Sequence, residues 1–329
     1  MSAPLIAVTG ATGFIGRALC EKAASRAQPV RALVRDGRRA AAVLPPGIEI
    51  VETDLETAGA ADLTRALAGA GALVHLAGRA HVLDERAADP DAQYRRANVD
   101  ATARLAEAAV AGGVARLVFA STIKVNGEWT VPGRPFRPDD PPAPEDAYAR
   151  SKLAAEMAIT RIAQGTPTLP VILRLPLVYG ARARGNFRRL VDAVSAGRWL
   201  PLGAIDNRRS LLGLPNLLDA IDAALAGSVA PAAGAAGERP PLHLIADAGP
   251  VSTPDLVRAI ARALGVAPHL VPVPVAVLRL AGALTGRVAL VDRLTRSLEA
   301  DSTSFTDATG WRPRPFAIDA AMLEPRSSG

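Results

Sequence analysis

Tyr148 and Lys152 stand four residues apart in the segment Tyr148-Ala149-Arg150-Ser151-Lys152, a spacing that puts both on one face of a helix. A phenol is a poor acid or base near neutral pH, with an ordinary pKa of about 10, but a nearby ammonium favours the phenolate and brings the group toward working range. About one loop earlier, Ser121-Thr122 closes an apolar run that reads as a strand, so a hydroxyl at that strand end can bond the same substrate oxygen. Thr122, Tyr148 and Lys152 together suit proton transfer at a carbonyl that also exchanges a hydride. The composition sharpens this: of 38 basic residues only Lys22, Lys124 and Lys152 are lysines, and the chain has only three tyrosines. A Tyr and a Lys at this spacing also occur on ordinary surface helices; the strand-end hydroxyl and a dinucleotide-type turn near the N-terminus separate the two cases.

That turn is Thr9-Gly10-Ala11-Thr12-Gly13-Phe14-Ile15-Gly16, which directly follows one predicted strand and opens a helix. Glycines there permit a tight turn, close approach of backbone to a pyrophosphate and close helix packing, while the helix N-terminus favours negative charge. Gly10, Thr12, Gly13, Phe14, Ile15 and Gly16 are the candidate contacts. Whether the carrier is NAD(H) or NADP(H) turns on the end of the second strand, where an acid would bond the ribose 2′-hydroxyl. The sequence reads Val34-Arg35 there, and Arg35 can neutralise a 2′-phosphate, which favours NADP(H) over NAD(H). Asp54-Leu55 after the third strand suits an adenine contact, and Leu76-Ala77-Gly78 after the fourth suits close backbone approach.

These residues need a sheet to bring them together. Leu5 to Thr9, Val30 to Val34, Ile48 to Val51, Ala72 to Leu76, Arg116 to Ala120 and Val171 to Leu175 read as strands, continuously apolar as strands covered on both faces are. Helices are predicted around 14–27, 60–69, 91–112 and 147–164. The alternation implies an α/β, doubly wound parallel sheet with ligand beyond its carboxyl edge. After about residue 180 the rhythm breaks: helices near 187–196 and 215–226, an Ala-, Gly- and Pro-rich loop at 227–241, and a helix start at Ser252-Thr253-Pro254-Asp255. We expect a dinucleotide domain over 1–180, completed by a returning segment about 208–228, and a smaller substrate lobe over 181–329.

Composition narrows the class. No segment approaches the roughly 18 apolar residues of a spanning helix, and nothing at the N-terminus looks like a targeting signal, so the chain reads as cytoplasmic with no membrane partner. Val271 to Leu284 is broken by Pro272, Pro274 and Arg279 and reads as a buried or amphipathic helix. The formal charge of +6 is dispersed without a dense basic run, which argues against nucleic acid and suits a small anionic substrate. Cys20, the single cysteine, excludes an intramolecular disulfide and reads as a small buried thiol. No metal site is expected.

Nearly the whole chain resembles the extended short-chain dehydrogenase/reductases, the NAD-dependent epimerase/dehydratase family. The resemblance rests on TGATGFIG at 9–16, HLAG at 75–78, Asn98, FASTIKVNG at 119–127, YARSK at 148–152, RLPLVYG at 174–180, GNF at 185–187, RRSLLGLPNL at 208–217 and a closing Thr309-Gly310-Trp311-Arg312-Pro313. It implies a Rossmann sheet, a homodimer paired through the helices near 91–112 and 147–164, and a nucleotide sugar, UDP-linked by preference, as substrate. It makes Thr122 the catalytic hydroxyl, Tyr148 the proton donor or acceptor, and Lys152 the residue that holds the nicotinamide ribose. It adds Asn98, Ala120, Ser121, Pro176 and Val178 to the cofactor contacts, puts Asn186 on sugar or phosphate, and pairs Arg209 with the diphosphate.

Two departures from the family pattern stand out. Ile123-Lys124-Val125-Asn126-Gly127 replaces the small residue, Thr or Ser and V-Y-G of galactose epimerases, so Lys124 and Asn126 are expected in the sugar pocket; Leu177 replaces a frequent Asn. IKVNGE and its flanking segments are most similar to a bacterial subgroup that includes 4-ketoreductases making UDP-N-acetylquinovosamine. The leading expectation is therefore reduction of a UDP-4-keto-6-deoxy sugar, with UDP-hexose 4-epimerase and a non-catalytic dinucleotide-binding protein as alternatives.

Overall fold

A computed structural model of the chain describes residues 3–79, 89–183, 185–226 and 241–323. Its first half alternates β1 (Leu5–Thr9), α1 (Phe14–Ser25), β2 (Val30–Val34), α2 (Gly37–Val43), β3 (Glu49–Glu52), α3 (Ala60–Leu67) and β4 (Ala70–His75). There follow α4 (Pro90–Tyr94), a π-helical turn Arg95–Asp100, α5 (Ala101–Ala111), β5 (Arg116–Thr122), α6 (Ala147–Ala163) and β6 (Leu169–Leu175). Every pairing in the main sheet is parallel, in the order β3-β2-β1-β4-β5-β6-β9, with β9 at Leu242–Leu244. The order reverses between β1 and β4, so the crevice at that switch point lies beside the carboxyl ends of both strands.

Both sheet faces are buried, as the unbroken apolar strands require. On one face α1 and α8 (Leu214–Leu225) cover β1, β2 and β6 through Leu19, Leu217 and Ile221. On the other, Leu63, Leu67, Leu105 and Ile159 of α3, α5 and α6 meet Leu73, Leu117 and Ile172. Cys20 lies in the first of these layers, where burial pushes its thiol up to about 12.

A second core belongs to the later chain. Here β7 (Leu177–Tyr179) pairs in parallel with β8 (Leu211–Gly213), Leu177 opposite Leu211. Phe187 and Val191 of α7 (Asn186–Ser195) pack with Val257 and Ile260 of α9 (Thr253–Leu264), whose first turn is capped by Ser252 as its sequence predicts. The chain continues through α10 (Val275–Leu284), α11 (Val288–Thr295) and α12 (Thr303–Thr309).

The structure departs from the sequence expectations in several places. The helix predicted over 91–112 is divided by the π-turn, and β5 runs two residues further, with Ser121 and Thr122 opposite Arg174 and Leu175 of β6. The main sheet gains β9 from beyond residue 180, whereas β8 of the returning segment pairs with β7 outside it, and both α8 and Leu212 of β8 pack on the sheet's core. Within Val271–Leu284, read from the sequence as a buried or amphipathic helix, the helix spans Val275–Leu284 and is amphipathic: α10 packs Val275 and Leu278 inward and leaves Leu280 and Leu284 exposed. The loop predicted at 227–241 lies, apart from Pro241, outside the described residues. Among the described residues no helix is long and apolar enough to cross a membrane.

Candidate active site

The turn after β1 is shaped by contacts only glycine satisfies. Gly10 adopts φ +67°, and a Cβ there would lie 2.8 Å from the backbone nitrogen of Ala77; a Cβ on Gly16 would lie 2.2 Å from the carbonyl oxygen of Gly10. Gly13 caps α1 with no side-chain bond to the helix and no acid follows in its first turn, so the positive helix end is left for an external anion. Thr12, Phe14 and Ile15 flank this opening. The cradle therefore fits a dinucleotide pyrophosphate.

The neighbouring strand ends are tied to the same crevice. Thr9 Oγ1 contacts His75 Nδ1 at 2.6 Å and accepts a hydrogen bond from the Ala77 backbone at 3.1 Å, while His75 Nε2 meets Thr102 Oγ1 at 2.8 Å. Burial, with Lys152 adding to it, lowers His75 to about 3, so the imidazole stays neutral. The π-turn brings Asn98 under the loop after β4: its Oδ1 accepts from Arg79 N at 2.7 Å and its Nδ2 donates to Ser151 Oγ at 2.9 Å. A Cβ on Gly78 would meet Asn98 Oδ1 at 2.9 Å. Asn98 thus positions Leu76-Ala77-Gly78 by supporting it from beneath.

At the distal strand ends, Arg35 is exposed after β2, and the next side chain, Asp36, caps α2 by accepting from Arg39 N at 2.9 Å. Asp54 accepts from Glu56 N at 3.0 Å, and Leu55 is buried behind it.

On the other side of the crevice, the hydroxyls of Thr122 and Tyr148 are hydrogen-bonded to each other. Tyr148 lies in the first turn of α6, whose N-terminus is capped by Asp146 accepting from Ala149 N at 2.7 Å. Lys152 lies one turn deeper, its Nζ 3.9 Å from the centre of the Phe119 ring. Burial pushes the Tyr148 phenol up to about 12, with Asp146 adding to the rise and the Thr122 hydrogen bond opposing it. Burial lowers Lys152 to about 7, against the pull of Glu156. Both shifts arise from withdrawal from water and favour the uncharged form.

Beneath the trio is an ionic network that sequence reasoning missed. Glu156 accepts from Arg174 through Nε at 3.0 Å and Nη2 at 2.6 Å, and also from the Ser121 hydroxyl. Arg174 Nη1 reaches Asn126 Oδ1 at 2.9 Å, and Asn126 Nδ2 donates to the Arg137 carbonyl at 3.1 Å. Asn126 is therefore turned into this network, and the expectation that it lines the sugar pocket is corrected. Ser121 is likewise committed to Glu156, and Ala120 lies within β5.

A cavity of about 1110 Å³ opens in front of Thr122 and Tyr148, with Lys124, Pro176, Asn186 and Arg209 all on its wall. Val178 is not among its lining and packs on the core instead. Lys124 Nζ bridges Asp146 at 2.6 Å and Glu128 at 2.7 Å, which ties Asp146 to the site's rim. Arg209 donates to the carbonyls of Arg293 and Arg296 at the end of α11 at 2.9 and 3.1 Å, and burial lowers its pKa. Glu128, Arg189 and Arg293 also line the cavity and were not anticipated; Glu128 alone had a signal, its spacing of four from Lys124.

The sequence pattern of the NAD dependent epimerase/dehydratase family matches residues 6–235. A Vibrio cholerae protein named UDP-glucose 4-epimerase is 36% identical over 309 residues, 94% of this chain and 90% of its own length. A Kitasatospora kifunensis protein named dTDP-6-deoxy-L-talose 4-dehydrogenase (NAD(P)(+)) is 31% identical over 94% of this chain and 91% of its own. Among solved structures, MoeE5 in complex with UDP-glucuronic acid and NAD aligns with a TM-score of 0.71 at 25% identity, covering 94% of each chain.

Proposed function

For a chain that belongs to the NAD dependent epimerase/dehydratase family of nucleotide-sugar enzymes, we propose reduction of the C4 carbonyl of a UDP-4-keto-6-deoxy sugar, of the N-acetylquinovosamine-forming type. The observation that carries carbonyl chemistry is the hydrogen-bonded Thr122 and Tyr148 pair at the wall of a cavity that also holds Lys124, Asn186 and Arg209. In this reading residues 1–180 hold the dinucleotide, and the later chain closes the cavity over the sugar and diphosphate.

The nicotinamide, when bound over the carboxyl ends of β1 and β4, supplies or accepts the hydride. Gly10, Gly13 and Gly16 leave room for the pyrophosphate, and Asn98 holds the loop after β4 in place. Tyr148, kept protonated by its burial, gives its proton to the substrate oxygen while Thr122 hydrogen-bonds it, and Lys152 bonds the ribose. Arg209 faces the diphosphate with its planar fork. Glu128 and Asp146 are both engaged by Lys124, and Glu156 beneath the trio is held by Arg174, which disfavours a dehydratase needing an acid-base carboxylate there.

The choice of reduction rests on Arg35, exposed at the end of β2 while Asp36 is occupied as a helix cap. That arrangement favours NADP(H), an exchangeable cosubstrate suited to net reduction. The Vibrio relative's name favours a second reading, 4-epimerisation with retained NAD. Incubation of the purified chain with NADPH or NADH and a UDP-4-keto-6-deoxy sugar tests the two. Stoichiometric loss of reduced cofactor supports the reductase, and interconversion of UDP-hexoses without net cofactor consumption replaces it by the epimerase. Arg35→Ala should raise the KM for NADPH and leave that for NADH nearly unchanged.

A further inference from the structure

The hairpin formed by α10 and α11 is apolar on two opposite sides, and among the described residues only one of them is covered. Inward, Val275, Leu278 and Leu294 pack on the second core, and Leu278, Val291 and Leu294 wall the cavity. Outward, Val277, Leu280 and Leu284 follow the i, i+3, i+7 stripe of a helix and are exposed by 52%, 62% and 80%. Val288 continues the apolar surface across the turn, and Gly282 lets the helices close, since a Cβ there would lie 2.7 Å from Val291 Cγ2. Single exposed apolar residues are ordinary; a stripe on a helix whose reverse is already buried calls for an occupant.

Charge identifies that occupant. Between Val275 and Arg296 the chain carries four arginines and one acid, Asp292, which Arg296 holds at 3.0 Å and Arg279 approaches at 3.9 Å; Arg293 lines the cavity and Arg296 also stacks on Trp129, so the exposed charge beside the stripe is that of Arg279 and Arg287. Arg287 is exposed in the turn between Leu284 and Val288. A second copy meeting this face about a two-fold axis would oppose arginine to arginine. An anionic lipid surface instead takes both the apolar stripe and the charge. Trp199, exposed by 74% and stacked on His269 at 5.1 Å, lies beside the segment leading into α10 and is a residue type favoured at membrane interfaces.

We propose that the α10–α11 hairpin lays its outer stripe into the headgroup layer of an anionic phospholipid bilayer, lying on the membrane without spanning it. Leu290, both exposed and on the cavity wall, places the cavity's edge at that contact. This reverses the expectation, drawn from the lack of a spanning segment, that the chain has no membrane partner. It holds whichever sugar reaction the site performs.

The test is flotation of the full chain with vesicles of mixed phosphatidylglycerol and phosphatidylethanolamine, compared with phosphatidylcholine alone. The wild type should float with the anionic vesicles, and salt should weaken it. Leu280→Glu with Leu284→Glu should lower the bound fraction at least about tenfold, and Arg287→Glu should abolish the preference for anionic lipid. Dinucleotide binding and the thermal midpoint, read in the same variants, should be unchanged, because none of the three residues lines the cavity. Absence of wild-type flotation, or equal flotation of the double variant, overturns the proposal. So does a wild-type oligomer that the double variant breaks without any flotation, which would make a second copy the occupant.

Discussion

Replacing Glu156 by Gln tests the network beneath the trio. Glu156 and Arg174 are an ion pair with side chains 4% and 3% exposed, joined by two hydrogen bonds. The substitution keeps the shape but removes the charge, and puts an amide donor against either Arg174 or Ser121. Arg174 then retains Asn126 Oδ1 as a neutral acceptor within the network, while its own charge stays buried. Removing one partner of such a pair costs about 3–5 kcal/mol. Across the 329 residues of the chain, the unfolding entropy is roughly 0.7 kcal/mol/K, which translates that cost into a fall of about 4–7 °C in thermal midpoint. Scanning calorimetry reads it directly. Because Glu156 pulls Lys152 upward, the variant should also shift the lysine-linked limb of the pH–rate profile to lower pH. The companion variant Glu156→Leu with Arg174→Met removes both charges and should recover most of the lost midpoint. A single-variant fall below about 1 °C, or a double variant no more stable than the single, would show that burial does not make this pair interdependent.

Tyr148→Phe should lower turnover about 10²- to 10⁴-fold while leaving dinucleotide binding intact, as steady-state rates and cofactor fluorescence will show. Gly10→Ala should weaken dinucleotide binding at least about tenfold, because it imposes φ +67° on alanine and drives a methyl to 2.8 Å from Ala77 N; titration calorimetry measures it. His75, held neutral with its pKa lowered from 6.5 to about 3, binds a proton in the unfolded chain before it does so in the folded one. Stability should therefore fall as pH drops from 6.5 toward 3, by at most about 1.4 kcal/mol per pH unit from this group, and urea midpoints of His75→Gln should show a shallower dependence there.

What the sequence revealed about the site is what local backbone geometry determines. Gly10, Gly13 and Gly16 are recognisable because a strand-turn-helix needs them whatever packs nearby, and Tyr148 and Lys152 because four residues of helix bring their side chains to one side. The strands of the parallel sheet were readable from unbroken hydrophobicity, since both their faces are covered. Asn126 shows where this stops. Its acceptor role toward Arg174 spans 48 residues of sequence, and no local pattern distinguishes an amide facing sugar from one facing a buried guanidinium. The same holds for Asn98, whose bonds to Arg79 and Ser151 accompany a π-turn inside a stretch with ordinary helical periodicity.

The α10 segment exposes a different boundary. Its hydrophobicity, read as a buried or amphipathic helix because apolar side chains avoid water, finds its cover at Val275 and Leu278, which have protein to pack on. Hydrophobicity states that a surface gains by leaving water; it does not state whether the covering material is the same chain. For Leu280 and Leu284 the described residues offer no cover on that side, so the driving force that built the core is left unsatisfied at the edge of the cavity. A helix of ten residues is too short to satisfy it by crossing a bilayer and is long enough to lie along one.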